Sequence, residues 1–191
     1  MNYKELLNRA FLLVSSPARA WEEILLEEDR QKVFVGFVYP MIGIATLSVF
    51  LGVLFTQGWG GPRSFQIAMT ECCSVAISLF GGFYLAAYLL NKAAIKFFYL
   101  SDNLLNAQRL IGYSSVVLFF LQIVTGILPN FQIVSWLLQF YVVYIVWEGV
   151  KIFVKIDEKD RLKYTLLASF LLLVCPFIIE VLFTKLILIL N

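Results

Sequence analysis

Three carboxylates, Glu71, Glu148 and Glu180, stand inside long apolar runs of this chain. An ionised acid in hydrocarbon costs about 2.5–3.5 kcal/mol on insertion scales, so each position is a candidate for binding a cation or relaying a proton. Glu71 and Glu180 are expected at similar depth in the outer half of a membrane. With the hydroxyls of Ser74 and Ser78 they outline a candidate intramembrane polar site, and Pro176 frees the Leu172 carbonyl nearby. The competing reading has each acid protonated or paired inside a packed bundle. Glu148 is different. It follows Trp147, shares a helix face with Tyr141 and Tyr144, and has Lys151 and Lys155 in reach to neutralise it. Trp147 and Glu148 therefore read as interface anchors.

The remaining composition excludes most other chemistry. The chain has no His, which removes the commonest general base, metal ligand and pH switch. Cys72, Cys73 and Cys175 all lie in apolar runs. Neighbours such as Cys72 and Cys73 point to different sides of a helix and make no metal-binding pair, so all three read as small buried hydrophobes. There is no phosphate-binding Gly loop, no H-E-x-x-H and no nucleophile elbow. The expectation is a protein that is no enzyme and uses no cofactor or metal. Its basic residues are scattered among acids, so nucleic acid is not an expected partner.

The elements that position these residues are membrane helices. Apolar residues make up 61% of the chain and charged ones only 15%, against about 25% charged in soluble domains, and the mean hydropathy is +0.85. Runs of about 20 apolar residues cross a bilayer core of roughly 30 Å. Five are expected, at 33–56, 65–91, 104–128, 131–152 and 164–190. "GWGGPR" separates the first two, "SDN" at 101–103 offers an N-cap to the third, and "LPNF" at 128–131 leaves room only for a tight hairpin. The fold class is all-α: a polytopic membrane protein with one transmembrane domain, 33–191, behind a short segment, 1–32. Lys and Arg set the orientation. Segments 1–32, 92–109 and 151–163 share one side and hold every Lys and Arg except Arg63 and Lys185. The N-terminus is therefore expected in the cytoplasm and the C-terminus outside.

Residues 1–32 read as two short amphipathic interfacial helices. Tyr3, Leu6, Leu7, Ala10, Phe11 and Val14 share one face of the first. Ser16 as N-cap and Pro17 at the next position start the second. Its apolar face is Ala18, Trp21, Ile24 and Leu25, with Glu22, Glu23 and Glu27 pointing away. Trp21 suits the headgroup level, where a ring can stay apolar while its N–H stays wet. With five basic and six acidic residues, the segment is no polybasic lipid anchor. It is expected to cap the bundle by packing or to dock a cytoplasmic partner. "AFLLV" is too short for a signal h-region of about 7–15 residues, so cleavage is not expected. In the second span Thr70, Ser74, Ser78, Gly82 and Ala86 recur every fourth residue, a ladder that lets another helix approach closely. It serves either packing within the monomer or a homo-oligomer contact.

Three stretches carry a resemblance. "SPARAWEEI" at 16–24, "RLIGYSSVVLFF" at 109–120 and "WEGVKIFVKIDEKDRLKYTLLA" at 147–168 resemble the bacterial-type branch of the Yip (Ypt/Rab-interacting protein) family of five-span membrane proteins. The resemblance covers nearly the whole chain and implies a cytoplasmic N-terminus and a bacterial inner membrane. The Asp-Leu-Tyr-Gly-Pro element of the eukaryotic branch is missing, so Rab binding is not implied. What it implies is the fold and no established activity; the first functional expectation is a non-enzymatic scaffold or membrane-organising protein, with the lipid bilayer as its medium, a possible homo-oligomer, and cytoplasmic contacts through 1–32 and 151–163. The alternative function is a small transporter or an ion- or proton-conducting protein using Glu71 and Glu180.

Overall fold

The structure, a computed structural model, describes residues 3–27, 33–59, 61–154 and 156–190. Arg30, Lys32 and Lys155, which enter the orientation argument, lie outside the described residues. The chain is all-α. Helices α1 (Tyr3–Ser15) and α2 (Pro17–Leu25) come first. A π-helical turn at Phe34–Val38 leads into α3 (Tyr39–Gln57), followed by α4 (Pro62–Phe98), α5 (Leu104–Ser114) and α6 (Val116–Ile127). A 3-10 turn at Pro129–Phe131 precedes α7 (Gln132–Leu138), α8 (Tyr141–Phe153) and α9 (Glu158–Leu190).

Four stretches are each long and apolar enough to cross a membrane: Phe34–Gln57, Pro62–Phe98, Leu104–Ile127 and Glu158–Ile187. The fifth, expected as one helix over 131–152, is a broken pair in which α7 and α8 bend by 42°. No Pro or Gly stands at the break. The backbone instead tightens to i−3 bonds, with the N–H groups of Phe140, Val142 and Val143 donating to the carbonyls of Leu137, Gln139 and Phe140. α8 is held by α2, α5 and α9, whereas α7 meets mainly α6 and the turn before it. Packing holds one half of the span in the bundle and leaves the other half splayed. The third span is also interrupted, at Ser115. Its hydroxyl donates to the Ile111 carbonyl at 2.8 Å, and such back-bonding bends helices.

The entry to the first span follows from Pro40, which has no N–H to give the Gly36 carbonyl. The Tyr39 N–H reaches back five residues to Phe34, the π pattern. At the far end of α4, Tyr99 adopts a left-handed backbone (φ 53) as the C-cap. Asn103 then caps α5, accepting from the Asn106 N–H at 3.0 Å. The Asn91 side chain ties this corner down, donating to Asp102 at 2.8 Å and accepting from the Asn103 N–H at 3.1 Å.

Two close approaches fix the bundle. A Cβ on Gly52 of α3 would stand 1.7 Å from the Gly126 carbonyl oxygen of α6, so these helices touch backbone to backbone. A Cβ on Gly82 of α4 would stand 2.5–2.7 Å from the ring and backbone of Pro176 on α9. α9 runs through Pro176 without interruption, and the Pro ring fills the space that Gly82 leaves.

Candidate functional site

The three stretches that carry the family resemblance meet at one junction beneath the N-terminal helices. Trp21 of α2 is fully buried. Its indole N–H donates to the Ile145 carbonyl of α8 at 3.0 Å. Its ring stands edge-on to Tyr113 of α5 and Phe153 of α8, with centroids 6.0 and 5.3 Å away. A Cβ on Gly149 would fall 2.7 Å from that indole and 2.8 Å from Leu110. Gly149 is thus the slot into which Trp21 seats. Gly112 makes similar room on α5, where Val38, Val33 and Phe83 would stand 2.9, 3.0 and 3.2 Å from an added Cβ.

A polar network locks the junction. Arg109 of α5 is 4% exposed. Its guanidinium donates to the Ile24 carbonyl at 2.6 Å, at the last turn of α2, and lies 4.7 Å over the Phe153 ring. The Ile24 carbonyl also accepts from the Glu27 N–H at 3.3 Å, and a cation at a helix C-terminus adds a second bond there and meets the negative end of the dipole. On the other side of α2, Arg9 of α1 pairs with Glu27 and donates to the Tyr113 hydroxyl at 3.0 Å, while that hydroxyl donates to Glu27 at 3.2 Å. Burial works against the Arg9 charge. The hydrogen bond and charge of Glu27, with those of Tyr113, outweigh it and raise its pKa, so Arg9 is charged at any ordinary pH. Tyr141 of α8 adds a hydrogen bond to the Val14 carbonyl at 2.8 Å. Together these contacts clamp α1 and α2 to α5 and α8.

Several expectations need correction. Trp21 is no headgroup anchor: its N–H is kept by a carbonyl inside the bundle, where a close-fitting Gly slot outcompetes the interface. Glu27 does not point away but pairs with Arg9. Arg109 is not a loop charge but a buried helix cap. The inward face of α1 is Leu6, Ala10 and Leu13, while Tyr3, Leu7 and Phe11 face outward. α2 buries Pro17, Ala20, Trp21 and Ile24, with Leu25 outward. Ser16 occupies the N-cap position without a capping side-chain bond. A helix apolar on two sides has one for the bundle and one for lipid, and periodicity alone does not say which is which.

Glu148 pairs with Lys151 at 2.7 Å, and Lys151 stands 5.5 Å from the Trp147 ring. In the α4 ladder Ser74, Ser78, Gly82 and Ala86 are buried and Thr70 is half-buried. The hydroxyls of Thr70 and Ser78 donate to their own helix, to the Gln66 and Val75 carbonyls. By helix rise, Glu71 and Glu180 are offset along the bundle. From the Gly82–Pro176 contact, Glu71 lies about 16 Å along α4 and Glu180 about 6 Å along α9 toward the same end. Ser78 and Glu180 line a cavity of about 470 Å³, and Glu71 and Ser74 are not in its wall.

A bundle of apolar spanning helices, with short helices clamped onto its connecting-loop end, defines a multi-pass integral membrane protein. The family is then shown directly: the Yip1 domain model matches residues 11–179, and the chain belongs to that family. The match runs from the last turns of α1 to just past Pro176, and so takes in the junction apart from Arg9. No curated protein and no solved structure matches the chain.

Proposed function

We propose that this Yip-family protein is a non-enzymatic scaffold of a bacterial inner membrane, with its N-terminus in the cytoplasm and its C-terminus outside. The observation that carries the reading is the clamp on α1 and α2. Buried side chains fix both helices, so their free sides form a rigid surface. That surface carries Arg19 and Glu23, paired at 3.2 Å, and exposed Glu22, Leu25 and Leu26. Between α1 and α2 it holds a shallow dip of about 360 Å³ lined by Lys4, Glu5, Asn8, Arg9, Leu12 and Glu23. Mixed charge around exposed apolar groups suits a protein partner better than anionic lipid. The 151–163 segment supplies a second contact, with Glu158 and Lys163 both largely exposed.

Glu180 lines the cavity and Glu71 stands outside it, which weighs against one conducting path through both acids. In liposomes, Glu71→Gln and Glu180→Gln leave cation and proton flux at the wild-type background. The scaffold reading is tested with photo-crosslinking residues at Glu22 and Glu158 in native membranes. Both are expected to capture a protein, a second copy or another, while the same probe at buried Trp21 captures none. Failure to recover any partner from Glu22 and Glu158 contradicts the reading.

A further inference from the structure

The splayed half of the broken span opens a groove whose walls mix polar side chains with apolar ones such as Leu79, Leu118, Leu121 and Leu173. α7 presents Gln132 and Ser135 to it, and its C-cap Gln139 follows on the same side, spaced three and four apart. α6 presents Gln122 and Thr125, and α9 presents Glu180 and Thr184, with Lys185 next along. Three helices thus bring polar side chains to one cavity of about 470 Å³, in the half of the bundle away from α1 and α2, although the Thr125 hydroxyl is donated to the Leu121 carbonyl of its own helix. Amides and charges at this depth are costly against hydrocarbon. Around them the rim is apolar and exposed: Trp136, Phe177 and Val181.

We propose that the groove holds the headgroup of a zwitterionic phospholipid from the outer leaflet, a phosphate bearing an amine, with its acyl chains lying over the apolar rim. Charge complementarity selects this occupant. Lys185 stands about 7 Å nearer the outer end of α9 than Glu180. A headgroup entering amine first brings its ammonium to Glu180 and its phosphate to Lys185, and the glutamine amides and Ser135 complete the phosphate and glycerol contacts. An anionic headgroup without an amine leaves Glu180 facing no cation. The apolar rim distinguishes a lipid from a soluble phosphate ester, which has nothing to lay there. This site goes beyond the scaffold reading and stands or falls separately from it.

Native mass spectrometry of the full chain in mild detergent tests it, with phosphatidylethanolamine, phosphatidylglycerol, diacylglycerol or soluble O-phosphoethanolamine added. Phosphatidylethanolamine is expected to bind about tenfold more tightly than phosphatidylglycerol, as loss of one charged hydrogen bond requires. Glu180→Gln abolishes that preference, Lys185→Gln weakens both phospholipids, and Glu71→Gln, outside the groove, changes neither. Gel-filtration profiles identical to wild type establish that the variants are folded. Diacylglycerol binding as tightly as phosphatidylethanolamine, or a preference that survives Glu180→Gln in the folded variant, overturns the proposal. Competition by O-phosphoethanolamine at equal concentration reassigns the groove to a soluble ligand and overturns the lipid. A lipid-free dimer lost on Glu180→Gln assigns it to a second copy, and also overturns it.

Discussion

At the scale of residues, the junction turns on one aromatic and the hydrogen atom opposite it. Trp21 is fully enclosed and Gly149 leaves the room it needs. Trp21→Ala removes a large buried ring and costs about 3–5 kcal/mol. Trp21→Phe keeps most of the packing but leaves the Ile145 carbonyl one bond short, at about 1 kcal/mol. Gly149→Ala pushes a methyl into the indole and costs about 1–3 kcal/mol. Thermal unfolding in detergent is expected to rank the variants with Trp21→Ala lowest, and a Trp21→Ala melting temperature equal to wild type would remove the clamp. Much of this site was visible as residue types, since Trp21, Gly149 and the Gly112–Tyr113 pair all stand in the stretches that resemble the family. Their partnership was not. It depends on contacts more than a hundred residues apart in sequence, between Trp21 and Ile145 or Arg9 and Tyr113. Arg109 illustrates the point. By sequence it is one more basic residue at the foot of a span, and only the arrival of the Ile24 carbonyl in the last turn of α2 makes it a cap.

At the scale of elements, backbone contact sets the helix spacing. Without a hydrophobic drive between helices in lipid, small residues that permit close approach decide the interfaces. The α4 ladder announces one such interface by its fourfold period. Gly52 and Gly126 announce nothing: each is a single glycine in its own span, and they meet only once α3 and α6 are side by side. Gly52→Leu is expected to push α3 off α6 and lower the melting temperature markedly, because its Cβ would overlap a carbonyl that side-chain rotation cannot move. Gly43→Leu, on the same helix with nothing within 4 Å of its missing Cβ, is expected to be neutral or slightly stabilising. Equal effects from the two would show that proximity to α6 is not what matters. The break between α7 and α8 was equally hidden from sequence. It contains no helix breaker, and it arises because α8 has packing partners on several sides while α7 faces outward with Ile133, Trp136 and Leu137 exposed.

At the scale of the whole molecule, hydropathy and the placement of Lys and Arg carry the architecture. The number of spans and the loops between them follow from run length, because a bilayer fixes how much helix it takes to cross. The two-sided character of α1 does not follow, since an amphipathic segment reads the same whether its apolar face meets lipid or the bundle. The orientation rests on the concentration of basic residues in the segments around α1–α2, 92–109 and 151–163. In the proposed orientation, the clamp and the proposed partner surface face the cytoplasm and the α6–α7–α9 groove lies in the outer half. Cysteine labelling tests this most directly. Cys72, Cys73 and Cys175 are replaced by Ser or Ala, and single cysteines are introduced at Asn130, in the α6–α7 turn, and at Glu158, at the start of α9. A membrane-impermeant maleimide is expected to label Asn130→Cys in intact cells and Glu158→Cys only after permeabilisation. Labelling of Glu158→Cys in intact cells, with Asn130→Cys protected, would put the clamped helices on the wrong side of the membrane and contradict the account.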